Sequence, residues 1–352
     1  MPRLPVVDAQ YADERVAAVY QAIKQQLMPS VPALFSAFGA VPDLLEGVWE
    51  DFRTVMATGS LARPIKELLA RHVSEVNACG YCRDLHDLFL HALGFDAEAT
   101  PDLAWQVQGE HAAFDLAPLM AYAEQLTTVP ARVTPEDYQE LRSTGLNTQQ
   151  LLEAVSVIGH ANFFSRVANA LDLSHSGTRA IAGVLPLIRR SAQVIAASRV
   201  RDELTPVAGD HPNTAYMKTQ KEASRLGVDG GVFTAMAPLT GWLEAQEMLI
   251  VALRTVDGPP LEQRRALVDV VARLLGLPRS DTKPDLPKTL LDLASDVTLH
   301  PRFITDEQIG ALVEFCGSNE AALGVITLVA WLNDILRMEQ ALSPRLSAAR
   351  EA

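Results

Sequence analysis

The strongest constraint on the fold is an internal repeat, in which the segment 119–142 and the segment 290–313 match without a gap. The same difference in residue number between matched positions also holds beyond these two segments. Helical periodicity alone could match apolar residues, but here prolines, threonines, asparagines and arginines also stay in register. The sequence therefore predicts two copies of one structural unit. The matched pairs are Leu119 with Leu290, Ala123 with Ala294, Pro130 with Pro301, Thr134 with Thr305, Glu136 with Glu307, Leu141 with Leu312, Asn162 with Asn333 and Arg166 with Arg337.

Both copies are predicted to be helical. The chain has 352 residues, of which 48% are hydrophobic and only 6% aromatic, a composition that fits helices packed through alanine and leucine. Apolar residues recur at helical spacing in segments 11–28, 41–56 and 148–171. A chain of this length can hold two domains, so we expect an all-α fold with tandem helical domains at residues 1–195 and 196–352. Residues 201–213 are the best candidate for a linker.

Two of the three cysteines form a Cys-x-x-Cys motif, Cys79 and Cys82, followed by His86. On a helix these spacings place both sulfurs and the imidazole on one face. An amphipathic helix over residues 64–76 precedes the motif and carries Glu67. A helix N-terminus and a neighbouring imidazolium both stabilise a thiolate. The pattern therefore predicts a reactive-thiol site, with Cys79 opening the second helix.

The arrangement Glu-x11-Cys-x2-Cys-x3-His, filled by Glu67, Cys79, Cys82 and His86, resembles the signature of alkylhydroperoxidase D-like proteins in the carboxymuconolactone decarboxylase superfamily. The resemblance runs from about residue 32 to residue 173. It implies an all-helical fold and a dithiol that reduces hydroperoxides, with the glutamate and histidine as a proton relay. Tyr81 departs from the pattern, because some members of the family carry a second histidine there.

The chemistry of these groups predicts the order of events. His86 is placed to accept the Cys82 proton, and Glu67 can orient and charge-balance the imidazole. Attack on a peroxide leaves a sulfenic acid, which Cys79 condenses with to form a disulfide. A thioredoxin-like or dihydrolipoyl protein must then reduce the disulfide. We expect no cofactor and no metal.

The second copy is expected to be a degenerate repeat that has lost the cysteines. Upstream of the matched region, Glu247 aligns with Glu67, and Leu275-Gly276 aligns with Leu93-Gly94. Residues 257–265, between these matches, contain no cysteine or histidine. We therefore expect this copy to cover the apolar surface of the first copy, as a pseudo-dimer within one chain. Self-association of such units would make the protein a homo-oligomer.

Several alternatives remain open at this stage. The cysteine pair could be two buried core residues, or three side chains could begin a zinc site that still lacks a fourth ligand. The chain could also be a non-redox enzyme like carboxymuconolactone decarboxylase, or a scaffold without catalysis. For the remaining residues of interest we expect structural roles. His72, His91 and His160 are expected to be structural or surface histidines. Asn162 and Arg166 are expected to form a polar network, and Cys316 is expected to be a buried thiol.

The charge and the apolar runs exclude some partners. The formal net charge is −13, and no lysine or arginine cluster offsets it, so we expect no nucleic-acid partner and no anionic membrane partner. The N-terminal residues lack the apolar core of a signal peptide. The most apolar run, 323–336, contains Asn333 and Asp334 and predicts a buried helix rather than a membrane span. A cytoplasmic protein is expected, where Cys-x-x-Cys indicates redox or metal chemistry.

Overall fold

The structure, a computed structural model, describes residues 2–97, 100–173, 212–279 and 284–351. Within these ranges it contains α-helices and short 3-10 turns and no strand, which confirms the all-α prediction. The predicted boundary at residues 195 and 196 and most of the predicted linker lie outside the described residues. The helices of the first half are α1 (Glu14–Gln26), α2 (Ala33–Phe38), α3 (Pro42–Met56), α4 (Arg63–Val76), α5 (Gly80–Ala92), α6 (Thr100–Glu110), α7 (Leu116–Thr128), α8 (Pro135–Arg142) and α9 (Thr148–Ala170).

The second half contains a similar series of helices in the same order. They are α10 (Pro212–Arg225), α11 (Gly231–Ala235), α12 (Thr240–Thr255), α13 (Leu261–Leu274), α14 (Lys288–Leu299), α15 (Asp306–Cys316) and α16 (Asn319–Glu351). Side chains from both series join one continuous hydrophobic core. The two halves therefore pack as a pseudo-dimer, as the repeat predicts.

The repeated prolines and threonines act at the starts of helices. Pro130 and Pro301 each begin a 3-10 turn. Thr134 and Thr305 are the N-caps of α8 and α15, and each forms a capping box with the residue three positions later. The two halves thus use the same local signals to turn the chain between equivalent helices.

Helices α9 and α16 pack against each other at the centre of the molecule. Gly159 permits the close approach, because a Cβ atom there would overlap Asp334 Oδ1. The segment Asn319–Ser343 of α16 is long and apolar enough to cross a membrane, but all of its most apolar window is buried inside the protein. It forms the core of the pseudo-dimer, as predicted for residues 323–336.

A reciprocal set of hydrogen bonds relates the two halves. In each half an arginine Nη1 donates to the side-chain oxygen of the asparagine one turn earlier, at 2.6 Å. Each arginine also donates through Nη2 to a threonine carbonyl of the opposite half. Because the repeat makes the two sets of contacts equivalent, the halves are related by a pseudo-two-fold axis. The contacts are Arg166 with Asn162 and Thr298, and Arg337 with Asn333 and Thr127.

Two sets of contacts between a basic side chain and backbone carbonyls correct the upstream part of the sequence alignment. Lys66 on α4 donates to the carbonyls of Val55 and Thr58. Arg264 on α13 donates in the same way to Leu253 and Val256. In both sets, the two accepting carbonyls precede the basic residue by the same numbers of residues. A single difference in residue number therefore relates the equivalent positions of the two halves. Helix α13 is therefore the counterpart of α4, and α12 is the counterpart of α3.

The predicted match of Glu247 with Glu67 is therefore wrong. Glu247 lies on α12 at the position equivalent to Trp49 of α3, and the residue equivalent to Glu67 is Arg265. Likewise Leu275-Gly276 corresponds to Asn77-Ala78 rather than to Leu93-Gly94.

The second half is also shorter than the first between the counterparts of α4 and α7. The difference in residue number between equivalent positions of α4 and α13 is larger than the difference between equivalent positions of α7 and α14. The second half therefore has fewer residues than the first in the interval between these helices. No described residue between α13 and α14 forms a counterpart of α5 or α6. The missing stretch is the one that would carry the cysteines.

Candidate active site

The site forms where α4 turns into α5. Ala78 adopts the left-handed conformation, with φ of 52°, whereas Asn77 has φ of −77°. The left-handed residue of the turn is therefore Ala78, and Asn77 is the C-cap of α4. Cys79 is the N-cap of α5, and its Sγ accepts a hydrogen bond from the Cys82 backbone N–H at 3.3 Å. This confirms that Cys79 opens the second helix.

Helix α9 fixes this turn through Asn77. The Asn77 Oδ1 accepts from Arg166 Nη1 at 3.0 Å, and its carbonyl accepts from Asn169 Nδ2 at 3.0 Å. The Asn77 amide group donates to Asn162 Oδ1 at 3.1 Å. A residue with a Cβ atom in the left-handed region costs on the order of 1 kcal/mol, so these contacts hold a turn that Ala78 alone would not favour.

Glu67 and His86 form the central polar pair of the site. Glu67 Oε2 lies 2.6 Å from His86 Nδ1, and both side chains are buried. Burial raises the pKa of Glu67, but the charge of Arg63 and the hydrogen bond with His86 outweigh it and lower the pKa below its usual value. An ionised Glu67 assigns the imidazole proton to Nδ1, so Nε2 is the nitrogen that can accept a proton.

Arg63 is a site residue that sequence reasoning missed. Its guanidinium forms an ion pair with Glu67 Oε1 and donates to the Met56 carbonyl at 2.7 Å. The signal was present, because Arg63 and Glu67 are four residues apart on a helix and such residues share a face. Its effect is to keep the buried carboxylate charged.

Both sulfurs are enclosed. Cys79 is 1% exposed and Cys82 is 4% exposed. Burial raises the pKa of the Cys82 thiol well above its ordinary value, and the hydrogen bond with Cys79 raises it further, whereas Ser165 opposes the shift. Ser165 was also missed by sequence reasoning. A buried thiol of this kind stays protonated at neutral pH and needs a base to become nucleophilic.

His160 is placed close to the site by α9, although its sequence position gave no such signal. Its Nδ1 lies 2.6 Å from Asp51 Oδ2 on α3. Burial lowers the pKa of His160, and the charges of His86 and Glu67 also act on it. The polar chain continues into the second half, since Gln246 donates to Asp51 Oδ1 at 2.7 Å and accepts from Trp331 Nε1 at 2.8 Å.

Other singled-out residues have packing roles. Tyr81 is buried, and its hydroxyl accepts from the Leu34 N–H at 3.2 Å, so it holds the start of α2 against α5. Cys316 is half-buried, not buried as predicted, and burial raises its pKa to about 11. In the described part of the chain, no group of three His, Cys, Asp or Glu side chains could hold a metal ion.

Two cavities adjoin the site without being lined by a cysteine. The larger, of about 1060 Å³, lies between the α3–α4 connection and α6 and includes Arg63, Trp105 and His111. The smaller, of about 570 Å³, lies on the pseudo-two-fold axis and includes Asn77. The first therefore reaches the ion pair of Glu67, and the second reaches the turn that positions Cys79.

Comparison with known proteins gives partial similarities. No family model matches the chain. The uncharacterized protein YdfG of Bacillus subtilis is 23% identical over 127 residues, which are 34% of this chain and 82% of YdfG.

Two solved structures are also similar to part of this chain. One, the alkylhydroperoxidase AhpD core of an uncharacterized peroxidase-related protein from Ralstonia eutropha JMP134, has 19% identity and a TM-score of 0.41, and covers 49% of this chain and 90% of that chain. The other, an uncharacterized peroxidase-related protein from Silicibacter sp. TM1040, has 24% identity and a TM-score of 0.41, and covers 48% of this chain and 87% of that chain. Each of the two covers about half of this chain.

Proposed function

We propose that this protein is a thiol-dependent peroxidase that reduces alkyl hydroperoxides through Cys79 and Cys82. The observation that carries the proposal is the 2.6 Å contact between Glu67 and His86, with the histidine one helical turn after Cys82. An ionised, buried carboxylate that orients an imidazole is the arrangement that a general base requires. The resemblance of the motif to alkylhydroperoxidase D-like proteins supports the same chemistry.

In the proposed cycle, His86 Nε2 accepts the proton of the Cys82 thiol. The thiolate attacks the peroxide oxygen that carries the hydrogen, so that an S–O bond forms and the O–O bond breaks. The leaving alkoxide takes up the proton held on His86 Nε2 and departs as an alcohol, and Cys82 becomes a sulfenic acid. Attack is assigned to Cys82 because it lies one helical turn before His86.

The Cys79 thiol then condenses with the sulfenic acid, which forms the disulfide and releases water. A thioredoxin-like or dihydrolipoyl protein supplies two electrons and two protons to restore both thiols.

The test is replacement of each motif cysteine by serine. We expect Cys79→Ser and Cys82→Ser to abolish turnover of cumene hydroperoxide with a dithiol donor, because the cycle needs an attacking and a resolving sulfur. Cys316→Ser is the matched control and should keep the wild-type rate, since it removes a thiol outside the site. A Cys82→Ser protein that turned over at near the wild-type rate would exclude the proposed cycle.

A thiol titration separates this function from a non-redox enzyme or a scaffold. One equivalent of hydroperoxide should remove two titratable thiols from the wild-type protein. The same titration on Cys79→Ser should show the loss of one thiol and a sulfenic acid that reacts with dimedone. No loss of thiols in the wild-type protein would favour the other classes.

A further inference from the structure

The cavity on the pseudo-two-fold axis brings two buried arginines together. Arg166 from α9 and Arg337 from α16 both line it, and each is only 2% exposed. The cavity volume of about 570 Å³ lies within the range of small-molecule sites. Its other walls include the apolar side chains of Leu275, Leu299 and Phe303.

The hydrogen bonds of these arginines go to neutral acceptors. Arg166 donates to asparagine side chains, to the Asn162 carbonyl and to the Thr298 carbonyl, and Arg337 donates to Asn333 and to the Thr127 carbonyl. The Nε of each guanidinium is buried and has no hydrogen-bond partner among the described residues. Within the described ranges, neither guanidinium forms an ion pair with a carboxylate, although their charges act on each other.

Asp334 is the carboxyl whose charge acts on Arg337, although the two form no ion pair among the described contacts. Asp334 is buried, and burial together with the charge of Asp51 raises its pKa well above the ordinary value, while the charge of Arg337 opposes this shift. Burial alone lowers the pKa of Arg166 to about 9. Burial and the charge of Arg166 also lower the pKa of Arg337. Buried like charges of this kind are costly unless an opposite charge joins them.

We propose that this cavity binds a small organic anion, with a carboxylate or phosphate head between Arg166 and Arg337 and an apolar part against Leu275, Leu299 and Phe303. Guanidinium groups match the geometry of both oxyanions. The exposed Arg302 also lines the cavity and adds a third positive charge to it. These three cations favour an anionic ligand over a neutral ligand of the same shape.

The experiment is calorimetric titration of the full-length protein with octanoate, octyl phosphate and 1-octanol at constant ionic strength. The three probes share one apolar tail and differ in the head group. We expect at least one of the two anions to bind, and 1-octanol to bind at least about tenfold more weakly because it offers no charge to the arginines. Binding of only one anion identifies the head group, and binding of both shows a general oxyanion site.

Two variants test the residues. Arg166→Lys keeps the charge but loses the planar fork, and should weaken binding of the anion about tenfold or more. Arg302→Gln changes an exposed residue that the fold does not need, and should weaken binding about two- to fivefold, whereas the exposed Arg142→Gln on α8 should leave binding unchanged. If Arg166→Lys does not fold, Arg302→Gln and Arg142→Gln decide the question.

The proposal is overturned if neither anion binds, if 1-octanol binds as tightly as the anions, or if the Arg302→Gln and Arg142→Gln proteins bind alike. Calorimetry on Cys79→Ser should give the wild-type affinity, because the sulfur does not line the cavity. The result therefore does not depend on whether the protein reduces peroxides.

Discussion

The two halves of the molecule have the same scaffold, but only the first has the helix that carries the thiols. Helix α5 packs against α4 and covers Glu67, which is fully buried. In the second half the equivalent position is Arg265, which is exposed and donates to the Arg225 carbonyl. A charged residue is favoured there because, in the described part of that half, no counterpart of α5 covers it. In its described residues, the second half thus lacks both parts of the site: the helix that would cover it and the acidic side chain that this helix would bury.

A second pair of positions shows what both halves retain. Lys66 and Arg264 both donate into the carbonyls of the preceding turn, so each fixes the same connection between two helices. Burial lowers the pKa of Lys66 to about 8, although the charge of Glu153 opposes this shift. Packing contacts of this type are present in both copies, whereas contacts that serve the sulfurs are present in one. The predictions below test this division.

The largest effect is expected from separating the halves. Residues 1–195 expressed alone should aggregate or self-associate, because the faces of α3 and α9 that pack against α12 and α16 would meet water. Light scattering after size exclusion is the measurement. A stable, active monomer would show that the second half is not a packing partner.

The next effect concerns the proposed relay of Glu67 and His86, whose residues both lie in the first half. His86→Ala and Glu67→Gln should each slow the reaction of the motif cysteines with iodoacetamide by roughly 10²-fold, because the general base or its orienting carboxylate is lost. Glu247→Gln on α12 is the control and should react at the wild-type rate. Wild-type labelling rates for both relay variants between about pH 6 and pH 9 would rule out the relay.

A smaller effect is expected where the halves approach most closely. Gly47→Ala places a Cβ atom 2.9 Å from Leu249 Cα, and Gly159→Ala places one in overlap with Asp334 Oδ1. Each change should lower the free energy of unfolding by about 1–3 kcal/mol through overpacking. Gly310→Ala on α15 is the control, since nothing lies within 4 Å, and it should stabilise the helix slightly. Equal melting temperatures for all three variants would contradict the close contact.

The smallest effect is a pH dependence of the free energy of unfolding. It comes from His160 of the first half, whereas the equivalent residue of the second half, Trp331, does not titrate. Burial lowers the pKa of His160 below 6.5, so the unfolded chain takes up a proton before the folded one does. The free energy of unfolding should therefore fall as the pH drops below about 6.5, by at most about 1.4 kcal/mol per pH unit. His160→Gln should reduce this slope. His72, whose pKa burial also lowers, contributes in the same range, so the His72→Gln slope is measured beside it.

Local signals were sufficient for most of the elements that carry the site. The Cys-x-x-Cys spacing and the preceding amphipathic helix both depend on residues within a few positions of one another. The contact of Glu67 with His86 was also predicted, because the motif itself places both residues. The left-handed conformation falls on Ala78, and no local signal indicates it, because the preceding Asn77 is held by side chains of α9 that are distant in sequence.

The alignment error has a different cause. Sequence identity at Glu247 favoured a match with Glu67, but identity between two residues on amphipathic helices carries little information about register. Only the carbonyl contacts of Lys66 and Arg264 reveal that α13 is the counterpart of α4. Once those helices are paired, the shorter connection of the second half follows from the sequence positions alone.

The sequence by itself determined that the chain is helical, that it is duplicated, and which four residues make up the candidate thiol site, because periodicity, repeat register and motif spacing are read from the order of residues along the chain. The tertiary structure alone decided how the two copies meet. It brought His160 close to the site, and set Arg166 and Arg337 around one cavity. These contacts join residues from helices that are far apart in sequence, and the free energy of such contacts depends on burial and distance, which no local pattern encodes.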